Sequence, residues 1–151
     1  MNNWFYFDEV MNLHHIESLE DFPENCIGFV YLITNKVNNK IYVGKKSLYS
    51  NTNKKLTKKE LAEQTGPGRK PTKKLVTKES NWKSYMGSSK ELLADIKDVG
   101  EDKFNRQILH YCFSKKQLTY YEICYQMKHD VLSVESYNDN ILGKFYRKDL
   151  I

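Results

Sequence analysis

Cysteine is scarce in this chain: Cys26, Cys112 and Cys124 are three in 151 residues, and no two form a CxxC pair. An odd, unpaired set argues against a disulfide framework and against a zinc site, and suits reduced thiols in a cytoplasmic setting. Long apolar runs are lacking too; nothing approaches the ~18 residues of a membrane span. The start, "MNNWFYFDEV", has neither the basic opening nor the apolar core of a signal peptide. GxSxG, Walker and dinucleotide-binding patterns are missing. His14 and His15 are adjacent, and two neighbouring side chains rarely ligate one metal; His110 and His129 are isolated. Lysine and arginine are wholly absent from residues 1–26, which carry a charge of −6.

The basic residues lie elsewhere. Net charge is +5, yet residues 45–78 alone hold eleven Lys/Arg against Glu60 and Glu63, while residues 79–151 balance to zero. A block of this kind is a candidate phosphate footprint, and its plainest alternative is a solvated loop. With 40% apolar and 28% charged residues the chain can bury one core. The organisation expected is an acidic N-terminal extension (1–26), then one domain (27–151) interrupted by a Lys-rich insertion at 45–81. The insertion contains "TGPGRKPTKK", whose Gly and Pro exclude regular structure.

Residues 28–44 read as a β-hairpin. In residues 82–151, "SSKELLADIKDVG" reads as a helix capped by Ser88 with Glu91 and stopped at Gly100. "KFNRQILHYCF" reads as a strand, and "SKKQLTYYEICYQMKHDVL" as a second helix opened by Ser114 and Gln117. "SYNDNILGKF" is a loop leading to a basic tail. The fold class expected is α+β: a small three-stranded, mainly antiparallel β-sheet flanked by α-helices.

In the hairpin "CIGFVYLITNKVNNKIYVGKKS", Asn38-Asn39 suits a two-residue turn that pairs Val37 with Lys40. Side chains alternate along each strand. One face then carries Val30, Leu32, Thr34, Ile41, Val43 and Lys45 and belongs to the core. The other carries Phe29, Tyr31, Ile33, Asn35, Tyr42, Gly44 and Lys46. Two phenols, a cation and a glycine gap on one face make a candidate phosphodiester site, with Gly44 expected to let a ligand backbone come close. On the second helix, Glu122 shares a stripe with Leu118, Tyr121, Tyr125 and His129. A carboxylate there needs a partner, either a cation or hydroxyl donors.

These residues together resemble the GIY-YIG nucleases. "FVYLITNKVNNKIYVG" (29–44) looks like the two name-giving motifs at their usual spacing. "SSKELLADIKDVGEDKFNRQIL" (88–109) looks like the helix-Gly-strand segment that follows in phage members. "LTYYEICY" (118–125) looks like the metal-binding glutamate helix, and "YN" (137–138) like the asparagine loop that closes the site. The resemblance covers roughly residues 28–140.

It implies the nuclease fold and a metal-dependent DNA endonuclease, of the kind of the phage free-standing or intron-type homing enzymes. It implies that Tyr31 and Tyr42 sit in the site and that one helps deprotonate water. Gly44 is the motif glycine, Glu122 holds a single metal ion (Mg2+, with Mn2+ as a substitute), and Asn138 orders the site, with Asn140 its rival. The family's phosphate-stabilising arginine follows the second motif. Here the interval Gly44–Gly87 holds only Arg69, so Arg69 or Lys46 is expected to take that role, lysine less well for want of a bidentate fork. Lys45, Lys54, Lys55, Lys58, Lys59, Lys70, Lys73 and Lys74 are expected to hold the backbone of double-stranded DNA. No zinc finger or helix-turn-helix pattern follows, so target choice is expected from the insertion, DNA shape, a homodimer or a partner. A non-catalytic DNA- or RNA-binding module keeping the fold is the rival reading. A last expectation is that the acidic 1–26 stretch folds over the basic residues in the free protein.

Overall fold

The structure, a computed structural model, describes residues 3–151. The chain divides into two compact units, Tyr49–Ser80 and the remainder on either side of it.

The larger unit is built on five strands: β1 (Trp4–Phe7), β2 (Leu13–Ile16), β3 (Gly28–Asn35), β4 (Ile41–Ser47) and, numbered seventh along the chain, β7 (Phe104–Cys112). Their order is β2-β1-β7-β3-β4, with β1 parallel to β7 and every other pair antiparallel. The expected three-stranded sheet, β7-β3-β4, is therefore only the centre of a larger mixed one. The two further strands come from the acidic N-terminal stretch. Four residues are too few to show a strand period, but Trp4 and Tyr6 turn inward while Phe5 and Phe7 turn to the other face. Trp4 is 1% exposed. Its ring meets Phe29 edge-on at 4.9 Å, and its indole N–H donates to the Trp82 carbonyl at 2.8 Å. A stretch anchored in this way is part of the sheet and not an arm that can swing over basic residues.

The hairpin β3–β4 keeps the expected faces but not the expected register. Tyr31 lies opposite Gly44, and Ile33 opposite Tyr42. The turn is Lys36–Asn39, longer by two than the Asn38-Asn39 turn read from the sequence. Asn35 causes the difference. Its side-chain oxygen accepts the Val37 amide at 2.9 Å, and its amide donates to the Tyr137 hydroxyl at 3.0 Å. Within the turn, Asn39 alone takes a left-handed conformation, at φ 62°. A shift of two residues preserves parity, so the side chains stay on their faces.

Both faces are covered, including the tyrosine face that the sequence suggested was open to a ligand. Phe29, Tyr31 and Ile33 pack with Trp4, Phe22, Trp82 and Leu92. Val30 and Val43 pack on the opposite face with Leu118, Val131, Leu132 and Ile141. The helix α2 (Lys90–Val99) supplies Leu92, and α3 (Lys115–Lys128) supplies Leu118. α2 starts later than the capping pattern suggested: Ser89, not Ser88, caps it by accepting the Leu92 amide at 3.3 Å. The loop read after α3 contains a two-residue pair of strands, β8 (Asn140–Ile141) and β9 (Phe145–Tyr146).

The smaller unit is an antiparallel pair, β5 (Tyr49–Lys55) and β6 (Lys73–Glu79), with the short helix α1 (Lys58–Ala62) between them. Thr57 and Glu60 form its capping box. Residues 65–72 of the Gly/Pro segment are irregular, as their composition requires, but Lys73 and Lys74 already belong to β6. Lys54 faces Lys74 and Lys55 faces Lys73 across the pair. Like charges directly opposite are unfavourable; Glu60 relieves Lys74 at 2.9 Å.

Candidate active site

β4 is the last strand of its sheet, so one row of its backbone groups has no strand to pair with. Residues 136–138 close this edge. Ile41 and Ser136 form a parallel bridge, and the Tyr137 amide donates to the Ile41 carbonyl at 2.8 Å. The Asn138 side chain completes the pairing: its oxygen accepts the Val43 amide at 3.0 Å and its nitrogen donates to the Val43 carbonyl at 2.9 Å. Gln126 on α3 adds a second donor to that carbonyl at 3.2 Å. Asn138 and Gln126 are both buried.

The segment carrying Asn138 is in turn held by Arg147. Its guanidinium donates to the carbonyls of Val131, Leu132, Val134 and Asn138 and to the Ser136 hydroxyl, all within 3.0 Å. This clamp is invisible in the sequence, because four of its five partners are main-chain oxygens.

Beside this edge opens a cleft of about 600 Å³, bordered by Tyr42 from β4, Ser88–Glu91 at the start of α2, Glu122 and Gln126 from α3, and Tyr137–Asn140. Tyr42, Glu122 and Asn138, far apart in sequence, thus share one space. The Tyr42 hydroxyl lies 2.8 Å from the Ser88 hydroxyl. Burial pushes the Tyr42 phenol up, the Ser88 hydrogen bond pulls it back, and the nearby Tyr85 and Glu122 add to the rise. Burial likewise pushes the Glu122 carboxyl up, against the pull of Lys45, whose ammonium stands 3.9 Å away. Lys45 also donates to Thr119 at 2.9 Å. Lys90 lines the cleft, and Lys40 pairs with Glu91 at its rim.

Other expected site residues lie elsewhere. Tyr31 is 1% exposed, and burial holds its phenol well above the ordinary range. Gly44 does not leave a gap for a ligand: a Cβ there would fall 2.5 Å from the Tyr31 hydroxyl and 3.0 Å from the Tyr42 ring. Its space is taken by the two tyrosines, and the missing side chain is what lets Tyr31 lie under the strand. Lys46 donates to the Asn81 side chain at 2.7 Å and covers the Tyr85 ring at 4.1 Å, and burial lowers its pKa. Arg69 and Lys54, Lys55, Lys58, Lys59, Lys70, Lys73 and Lys74 belong to the smaller unit. Asn140, the rival to Asn138, also borders the cleft, and its side chain accepts the Gly143 amide. Ser88, Lys90 and Gln126 are cleft residues that the sequence reading did not assign to the site.

Can these residues hold a divalent cation? Among the described residues no group of three or more His, Cys, Asp or Glu side chains is placed to cage a metal. Mg2+ needs no such cage, since it keeps several waters and binds through one or two carboxylates together with substrate phosphate oxygens. Glu122 fits that pattern: a half-buried carboxylate whose charge burial disfavours and which opens on a cleft.

Residues 11–150 match the family model described as "Putative endonuclease segE, GIY-YIG domain". The match spans nearly the whole chain, and the chain belongs to the GIY-YIG nuclease family. No curated protein and no solved structure matches it. No helix among the described residues is long and apolar enough to cross a membrane.

Proposed function

We propose that this chain is a metal-dependent DNA endonuclease whose active site is the cleft between Tyr42 and Glu122. The observation that carries the reading is their convergence: a phenol from β4 and a carboxylate from α3 border one space, while Gln126 ties those two elements together at Val43, where Asn138 closes the strand edge.

Glu122 would hold a single Mg2+, or Mn2+ in its place. When bound, the cation supplies positive charge at the phosphate and at the leaving oxygen. Tyr42 takes a proton from the attacking water as its own hydroxyl proton passes to solvent, so no standing phenolate is needed where burial disfavours that charge. The water oxygen bonds to phosphorus, the bond to the leaving oxygen breaks, and solvent protonates that oxygen. Lys45 and Lys90 bind the phosphate as point charges in place of an arginine fork. Tyr31 supports Tyr42 from the core and is not the proton acceptor in this reading.

The smaller unit serves the DNA backbone. Its facing lysine pairs, Lys54 with Lys74 and Lys55 with Lys73, are costly, Glu60 relieves only Lys74, and phosphates would relieve the rest. The substrate is double-stranded DNA and the biological setting that of a free-standing homing-type enzyme. A second copy of the chain would supply the second cut.

One observation favours the rival, a binding module without cleavage. Arg106 and Arg147, the arginines of the larger unit, are engaged on main-chain carbonyls. Incubation of supercoiled plasmid with the protein separates the two. Nicking with Mg2+ that stops with EDTA and in Tyr42→Phe supports the nuclease. Retention of DNA without nicking, in Mg2+ and Mn2+ alike, supports the module.

A further inference from the structure

Ser88 is not the helix cap that its pattern suggested. Ser89 takes that role, which leaves the Ser88 hydroxyl directed to Tyr42 at 2.8 Å. The chain leading to it is held at several points. Trp82 is fully buried and its carbonyl accepts the Trp4 indole N–H. Arg106, its guanidinium 4.6 Å above the Trp4 ring, donates to the carbonyls of Lys83 and Tyr85 at 2.8 and 2.9 Å. Gly87 then turns the chain at φ 95°, in the left-handed region that favours glycine. A Cβ on Gly87 would fall 2.8 Å from Leu92 and 3.3 Å from the Tyr42 ring, so the turn lies flush against that ring.

The consequence concerns the Tyr42 hydroxyl. A phenol on a strand can rotate its O–H freely and rock its ring. A hydroxyl fixed on a separate, anchored segment removes both freedoms, and it occupies one side of the oxygen so that the other faces the cleft. We propose that Ser88 is a positioning residue for catalysis, holding the Tyr42 oxygen in the orientation from which it accepts the proton of water. This rests on the reading of Tyr42 as proton acceptor given above. The contact lies at the Tyr42 hydroxyl and adds no charged group to the cleft, so its effect falls on turnover and not on DNA binding.

The test uses Ser88→Thr and Ser88→Val in the full chain, two variants of nearly equal shape that differ in the hydroxyl. With Mg2+ and plasmid DNA, Ser88→Val is expected to lose roughly tenfold in kcat with KM unchanged, the size of one lost hydrogen bond. Ser88→Thr is expected to stay within about threefold of the native rate. Equal rates for Thr and Val would overturn the proposal, as would a loss confined to KM. A second measurement does not depend on cleavage. In protein labelled with 13C at the tyrosine ζ carbon, the Tyr42 resonance, assigned by its loss in Tyr42→Phe, is expected to move in Ser88→Val and to hold in Ser88→Thr. No movement in Ser88→Val overturns the contact itself. Movement without any cleavage by the native protein overturns the nuclease reading, and the catalytic meaning of Ser88 with it, while the hydrogen bond stands.

Discussion

The side-chain amide of Asn138 meets both backbone polar groups of Val43, as a neighbouring strand would. Val43 stands between Tyr42 and Gly44, so one side chain from the loop after α3 fixes the strand at its functional point. Removing it leaves the buried Val43 amide without its acceptor, while the carbonyl keeps Gln126. Asn138→Ala is expected to cost about 2 kcal/mol of unfolding free energy in urea. Asn138→Asp is expected to cost more, since it sets a carboxylate oxygen against the Val43 carbonyl. A variant as stable as the native protein would show that the strand edge needs no such closure.

Gly44 and Tyr31 form a second test of packing. Gly44→Ala forces a Cβ to within 2.5 Å of the Tyr31 hydroxyl. It is expected to destabilise by about 1–3 kcal/mol, as overpacked cores do. Adding Tyr31→Phe removes the nearest atom and should recover part of that loss, though not all, because the ring carbon Cζ lies at 2.8 Å. A double-mutant cycle on urea denaturation reads the coupling; simple additivity would contradict the arrangement.

His110 stacks on Tyr121 at 3.8 Å between ring centroids, and burial lowers its pKa, with Lys128 adding to the effect; His129 is lowered for the same reasons. A histidine whose folded pKa lies below its unfolded value binds protons more readily when unfolded. Stability is therefore highest above the unfolded value, about 6.5, and falls as pH drops below it until the folded values are passed. Urea denaturation between pH 7.5 and 5 should show this decline, and His110→Phe should make it shallower. An unchanged slope would show that His110 is not held neutral.

The smaller unit should respond to salt. Each Lys→Gln change among Lys54, Lys55, Lys73 and Lys74 that removes a phosphate contact is expected to lower the slope of log affinity against log salt by about 0.9. Filter binding of duplex DNA at several salt concentrations measures it. Slopes unchanged by all four substitutions would leave these lysines as solvated charge.

Much of this arrangement was legible in the sequence, for identifiable reasons. The hairpin faces survived an error of two residues in register because alternation depends only on parity. Glu122 stood out as a carboxylate on an apolar stripe of α3, and residues 137–138 by their likeness to the family motif. What stayed hidden shares a cause: it depends on main-chain partners or on short elements. Arg147 and Arg106 bind carbonyls, which leave no mark in a sequence. Trp4 lies on a four-residue strand that pairs parallel to β7, a hundred residues away. Ser88 and Ser89 are chemically interchangeable as caps, so the one that turns to Tyr42 emerges only from the path of the chain. The tyrosine face is covered by Trp4, Phe22 and Trp82, which come from outside the hairpin and leave no trace in its own pattern.

Tyr42 and Glu122 serve one cleft in the proposed reaction, with Glu122 binding the cation. This is tested most directly by Glu122→Gln, which keeps the shape of the side chain and removes its charge. Plasmid cleavage by this variant should be measured across a Mg2+ titration, with duplex binding followed in parallel. Cleavage is expected to be abolished at every Mg2+ concentration, with duplex binding retained. Cleavage by Glu122→Gln at the native rate would contradict this and place the chemistry of this protein outside the cleft.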